Sequence, residues 1–359
     1  MKTNTILYKT LARALSMKRP HDTLGTKKLT RWLVDHIPEG LTSSIDAAGN
    51  VHIDARVNKN NRTLFVAHVD TVHRITGPNK IRKTDTMWYA HADAPLGADD
   101  GAGVAMLMHL LCAGIPAYYI FTQGEECGGI GAKYVSENTK LLSQFDRAVA
   151  FDRRGIDSVI THQGYGRCCS DVFAQALSDA LNDDLTLMYL PDDTGVYTDT
   201  AEFVDVIPEC TNISVGYYSE HTAQERLDIV HLQALADRCL RIDWDSLPTT
   251  RDPRKHESKW DKWDDKWNGG WGSVSLLTDE DYYKEDVIDA IHDAMCGNKD
   301  FLVELMCDAV YPEDPDMARR FVNPKSLTDL VLDEALDWAR TYDPETVLAA
   351  LYETAHCEV

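Results

Sequence analysis

Two glutamates, Glu125 and Glu126, stand side by side in "TQGEECGG", between an apolar run and a glycine turn. Adjacent like charges are unfavourable unless something positive holds them. Four other stretches offer similar donors: His68 and Asp70 in "FVAHVDTVH", Asp99 and Asp100 in "PLGADDGAG", Asp152 in "VAFDRRG", and His221 with Glu225 in "GYYSEHTAQE". Imidazoles and carboxylates without thiolates suit Zn2+. Two imidazoles and three carboxylates serve two ions only if one carboxylate bridges, and Asp99, in a tight glycine-bounded turn, is placed to do so. One glutamate of the pair can then ligate while its neighbour takes and returns a proton of an activated water.

Such donors must be carried by elements that bring them together. Helical spacing predicts helices over 4–15 and 24–37, and "SSIDAAGNVHIDAR" alternates around Gly49-Asn50 as a hairpin. Short apolar runs predict strands at 63–68, 117–123, 147–152 and 212–218. Helices are expected at 99–114, closed by Gly114, in "GIGAKYVSENT", at 170–181 behind an Ser170 cap, and at 227–242. This alternation points to an α/β fold: a mixed, mostly parallel sheet with helices on both faces. Ligands of open α/β sheets gather outside the carboxyl ends of the strands, so the five stretches are expected to meet at one edge.

In that order, H-x-D, D-D, E-E, D and H, the chain resembles the co-catalytic di-zinc exopeptidase superfamily, which includes leucyl aminopeptidases, peptidase T and the acetylornithine deacetylase relatives. The resemblance covers roughly residues 1–245. It implies two zinc ions, with Co2+ or Mn2+ as alternatives: His68, Asp99 and Asp152 on one, and Asp99, Glu126 and His221 on the other. It also implies Glu125 as general base and acid, and Asp70 as the carboxylate that orients the His68 ring. Members with a lid domain carry a long insertion before the last motif. Here 152–221 has room for about one helix and two strands of ordinary length, as in the single-domain aminopeptidases. Some relatives place an oxyanion-donating tyrosine just before the last histidine. This chain has Glu220 there, with Tyr217 and Tyr218 slightly upstream. The implied activity is an aminopeptidase acting on short peptides. A deacylase or carboxypeptidase on N-acyl amino acids is the alternative, if Arg153 or Arg154 meets a substrate carboxylate.

Several residues have plainer readings. His91 and Asp93 form a second H-x-D between polar turns and read as a loop feature. His73 lines the pocket or lies on the surface, and His109 belongs to a helix face. Asp100 reads as a helix cap, and "TDTAEF" (198–203) either caps a short helix or faces the pocket through Asp199. Thr222 and Glu225 have capping-box spacing for the last helix, which keeps Glu225 away from the metals. Arg153 and Arg154 read first as surface ion pairs.

The net charge of -22 offers no basic field to attract nucleic acid. An odd count of 9 scattered cysteines without a C-x-x-C pair reads as free thiols in a reducing compartment. Lys9 and Arg13 break the apolar character of the N-terminus, and no apolar run suits a bilayer, so a cytoplasmic location and no membrane partner are expected. After residue 245 the character changes. Residues 246–275 read as a charged linker in which Trp260, Trp263, Trp267 and Trp271 dock on the chain itself or on a partner. Residues 276–359 read as a small acidic helical domain. A third reading makes this tail the working surface of an interaction protein.

Overall fold

The computed structural model describes residues 3–255 apart from 92, 93, 165 and 184. Asp93, the tryptophan stripe and the expected helical domain lie outside the described residues. The main sheet contains β1 (Ser43–Ile45), β2 (Val51–Asp54), β3 (Thr63–His68), β4 (Tyr118–Thr122), β5 (Arg147–Arg153), β6 (Ser158–Ile160), β7 (Leu190–Asp192) and β8 (Glu209–Ser214). Their order across the sheet is β7-β6-β8-β5-β3-β4-β2-β1. The central four strands, β8, β5, β3 and β4, run parallel, and β6 and β2 join them antiparallel. This is the expected mixed, mostly parallel sheet.

β3 shows why the sequence reads as it does. All its residues are buried, as in a strand covered on both faces. Phe65 points into the larger core beneath the helices α1 (Thr3–Leu15), α3 (Ala98–Ala113) and α7 (Ile229–Cys239), while Leu64 and Val66 enter a second core with Ala132 and Val135 of α4 (Ile130–Ser136). α3 is apolar almost all round and buried from Ala98 to Leu111, which makes it an internal helix. Gly114 ends it in the left-handed conformation, and its N–H returns to Leu110 and Leu111 carbonyls.

Three elements depart from expectation. The second helix stops at Val34 rather than residue 37. The run 212–218 is two strands: β8 ends at Ser214, Gly216 turns the chain at φ 97, and Tyr217–Tyr218 joins a separate four-stranded sheet. The last helix begins only at Ile229, because Arg226–Asp228 is a strand paired with Met87–Ala90. Its cap is Asp228, whose carboxylate accepts from His231 N at 2.9 Å. The described residues of 152–221 hold the helix Asp171–Asn182, the strands β6 to β8 and short turns and hairpins, and among them there is no inserted domain.

The body also extends past residue 245. Asp245 accepts from Asn61 and from Arg62 N, and buried Arg147 donates to Leu247 O and Thr249 Oγ1. Buried Glu209 accepts from Thr250 N and Arg251 N as well as from Ser170, the cap of the helix Asp171–Asn182. All cysteines among the described residues are free. No helix among the described residues is long and apolar enough to cross a membrane.

Candidate metal centre

Parallel strands deliver their last residues to one edge. His68 is the last residue of β3, Glu125 and Glu126 follow β4 in a single 3-10 turn, and Asp152 lies near the end of β5. Asp99 comes from the start of α3, where its backbone is not helical, and His221 from the loop after Tyr217–Tyr218.

Asp99 lies between the two imidazoles. Its Oδ1 is 3.1 Å from His68 Nε2, and its Oδ2 is 3.1 Å from His221 Nε2. Glu126 Oε2 is 3.2 Å from the same His221 nitrogen. Around His68 Nε2, Asp152 Oδ1 lies at 3.7 Å and Glu125 Oε2 at 3.9 Å. The structure therefore gathers His68, Asp99, Glu125, Glu126, Asp152 and His221 at one place. Asp100 also reaches His68, but its oxygens accept from His68 N and from Gly103 N, which leaves Asp99 facing the imidazoles. Asp100 is thus a cap, as the sequence indicates.

Several of these side chains are held by neighbours outside the cluster. Asp70 stands 3.6 Å from His68 Nδ1 and accepts from the amides of Gly124, Glu125 and Glu126. Asp152 accepts from Thr198 Oγ1 at 2.7 Å and from Tyr217 OH at 3.1 Å. Asn212 accepts from Asp152 N and donates to Asp152 O. Tyr217 is therefore committed to Asp152, and Tyr218 lies beneath the Arg226 guanidinium.

The electrostatics are those of an anionic cluster. Burial pushes the Glu125 carboxyl up to about 10, with Asp152, Asp199 and Asp99 adding and His68 opposing. Burial, with neighbouring acids, likewise raises Glu126, Asp152 and Asp100. Hydrogen bonds to Asp99 and Glu126 hold His221 up at about 11. For His68, burial works downward, but Asp152, Asp70 and Asp99 keep it well above its ordinary value. Asp99 is the exception: against its burial, hydrogen bonds from His221 and His68 hold it below its ordinary value. Left to itself, the cluster favours protons on Glu125, Glu126, Asp152 and Asp100 and charge on its two histidines. Divalent cations among these groups would reverse both tendencies. Glu126 Oε1 is buried with no hydrogen-bond partner, a donor atom still to be used. The residues fit metal ions with oxygen and nitrogen preferences.

Other expectations resolve differently. His73 is not on the surface: it is buried, bonded to Thr71 Oγ1 and Pro95 O. His109 is buried on α3, as its helix-face reading expects. Arg153 pairs with Asp192 and Thr194, and Arg154 with Glu220, so both are surface partners. Asp199 is not a cap but a buried acid bonded to Thr122 Oγ1, raised to about 7 by burial. Glu225 does not form the expected capping box. Its carboxylate accepts from Gly97, Ala98 and Asp99 at the start of α3, and burial raises it to about 7 against the pull of those amides. The partners that Asp199 and Glu225 actually take are not marked by sequence spacing, because they lie on distant segments.

The sequence model of Peptidase family M28 matches residues 50–247. Among solved structures, the chain is similar to aminopeptidase PepT from Bacillus cereus ATCC 10987 (14% identity, 66% of this chain and 97% of that chain, TM-score 0.56). It is also similar to a tripeptidase from Staphylococcus aureus subsp. aureus Mu50 (18% identity, 66% and 96%, TM-score 0.54). A third is an aminopeptidase from the archaeon Desulfurococcus kamchatkensis (12% identity, 76% and 100%, TM-score 0.52). At these identities the likeness is one of fold. No curated protein matches the chain.

Proposed function

The chain belongs to peptidase family M28 and is a metallopeptidase, and from that premise we propose that it removes the N-terminal residue of short peptides with two metal ions, Zn2+ by preference. The observation that carries this reading is Asp99 set 3.1 Å from each imidazole, with Glu125 beside the cluster. His68, Asp99 and Asp152 would hold one ion, and Asp99, Glu126 and His221 the other. Bound ions supply Lewis acidity, activating a water and polarising the scissile carbonyl.

The chain's own groups do the rest. Glu125 takes a proton from the attacking water and returns it to the amine nitrogen as the C–N bond breaks. Products are a free amino acid and a shortened peptide. Asp70 fixes both partners of this step, standing beside His68 and holding the amides that aim Glu125 and Glu126. An excess of carboxylates over imidazoles favours a substrate that presents an α-ammonium group. The fold neighbours described as aminopeptidases and a tripeptidase support the same choice. A carboxylate-reading site is less supported, since Arg153 and Arg154 are paired elsewhere.

The test is Glu125→Gln assayed beside metal analysis, with aminoacyl-nitroanilides and N-acetyl amino acids as substrates. Loss of turnover by about 100- to 10,000-fold with metal content retained is expected. Wild-type turnover in the variant removes the mechanism. Activity confined to the N-acetyl series moves the protein to the deacylases.

A further inference from the structure

We propose that Arg19 and Glu225 are positioning residues that grip the Asp99 loop from opposite sides and set how tightly the centre holds its metal. This rests on the metal-dependent reading above. Arg19 is fully buried. Its Nε donates to Val69 O at 2.8 Å, its Nη1 to Ala14 O at 2.5 Å, and its Nη2 to Gly97 O at 3.1 Å. One guanidinium thus joins the end of α1, the residue after His68, and the loop before Asp99. Its backbone adds a fourth tie, since Thr71 N donates to Arg19 O at 2.9 Å.

Glu225 is 1% exposed and works from the other side. Oε2 accepts from Gly97 N at 3.0 Å, and Oε1 from Ala98 N at 2.6 Å and Asp99 N at 3.1 Å. Gly97 is therefore held at both its N–H and its C=O. The space around it is full: a Cβ there would meet His73 Cε1 at 3.2 Å, Thr71 Cγ2 at 3.4 Å and Arg19 Nη1 at 3.5 Å. Gly97 also needs its left-handed φ of 75. The loop cannot drift without breaking bonds to buried charged groups.

The two side chains are not interchangeable with near relatives. A planar fork reaches three carbonyls in fixed directions, which a lysine ammonium on a flexible stem does not reproduce. An acceptor-only carboxylate takes three N–H groups, whereas a glutamine offers one oxygen and turns its NH2 toward amides. Arg19 lies ahead of the residues matched by the family, 50–247, so this half of the grip is contributed by the N-terminal segment. Partners of this kind beyond the ligands commonly govern metal affinity by about 10- to 100-fold.

The experiment is Co2+ titration of metal-depleted full-length protein, followed by visible absorption and by thermal melting, for wild type, Glu225→Gln, Arg19→Lys and Glu209→Gln. Glu209 is the control: equally buried, also accepting backbone amides, and away from the centre. Glu225→Gln and Arg19→Lys are expected to weaken Co2+ binding by about 10- to 100-fold and to alter the spectrum, while Glu209→Gln lowers the melting temperature alone. If both site variants lose stability as the control does but keep wild-type Co2+ affinity and spectrum, the grip is only structural and the proposal falls. Should Glu225→Gln not fold, Arg19→Lys decides by the same criterion. A wild type that takes up no Co2+ overturns the metal-dependent reading itself, a result distinct from failure of the grip.

Discussion

The Asp70 carboxylate stands 3.6 Å from His68 Nδ1 and also accepts the backbone N–H of Glu126 at 3.3 Å, with Gly124 and Glu125 alongside. One acid thus links the end of β3 to the turn after β4. Asp70→Asn is expected to lower metal affinity or kcat by about 10- to 100-fold, with KM little changed. Steady-state kinetics with metal analysis would check this. A variant with wild-type kcat and metal content contradicts the role given to Asp70.

Removing divalent ions should destabilise the protein. Acids that share a small volume repel one another unless they take up protons. A ligand present at 1,000 times its dissociation constant adds about 4 kcal/mol to the folded state. Chelation should therefore lower the melting temperature by several degrees, and Zn2+ should restore it. A melting curve indifferent to chelator and to Zn2+ argues against bound metal.

Stability should also fall in mild acid. His231 is buried, and Tyr189 OH, which spends its proton on Ser214 O, can only accept from its Nε2. Burial lowers His231 to about 4, against Asp228. The unfolded chain binds that proton near pH 6.5, the folded chain only near 4. Protons therefore favour unfolding across this window, and stability drops as pH falls from about 6.5 to about 4, by roughly 3 kcal/mol at most for this group. His73, also lowered to about 4 by burial, acts in the same direction. Urea unfolding at several pH values would measure the slope, which His231→Gln should flatten. An unchanged slope in the variant assigns the effect elsewhere.

Phe65 anchors the larger core. Its ring meets Trp244 edge-on at 4.9 Å and lies near Tyr119 and Phe151 at 5.4 and 6.0 Å. Phe65→Ala is expected to cost about 3–5 kcal/mol, read as a lower urea midpoint at unchanged m-value. A loss below 1 kcal/mol would show that the core collapses around the gap.

The centre of the sheet was legible because its parallel strands are short apolar runs that end in chemically distinctive residues. "TLFVAH" is β3, residue for residue. Gly114 and Ser170 marked helix ends through local chemistry alone. What escaped was whatever depends on distant backbone. Arg19 meets Gly97 at a separation of 78 residues, and Glu225 meets it at 128. No spacing rule reaches so far. Thr222 and Glu225 satisfied a local capping pattern, yet pairing of Arg226–Asp228 with Met87–Ala90 delays the helix and frees Glu225 for α3. Gly216 split one apolar run into strands of two sheets, a turn that hydrophobicity does not report.

Shortening the protein at residue 245 would strip the carbonyl of Leu247 and the hydroxyl of Thr249 from Arg147, and the amides of Thr250 and Arg251 from Glu209. A guanidinium and a carboxylate in the interior would each be deprived of counterparts, and the catalytic half would unravel for reasons unrelated to the tryptophans. Dissection of the two halves therefore belongs beyond Arg251, whose amide and guanidinium still bond to Glu209, Pro208 and Ile207.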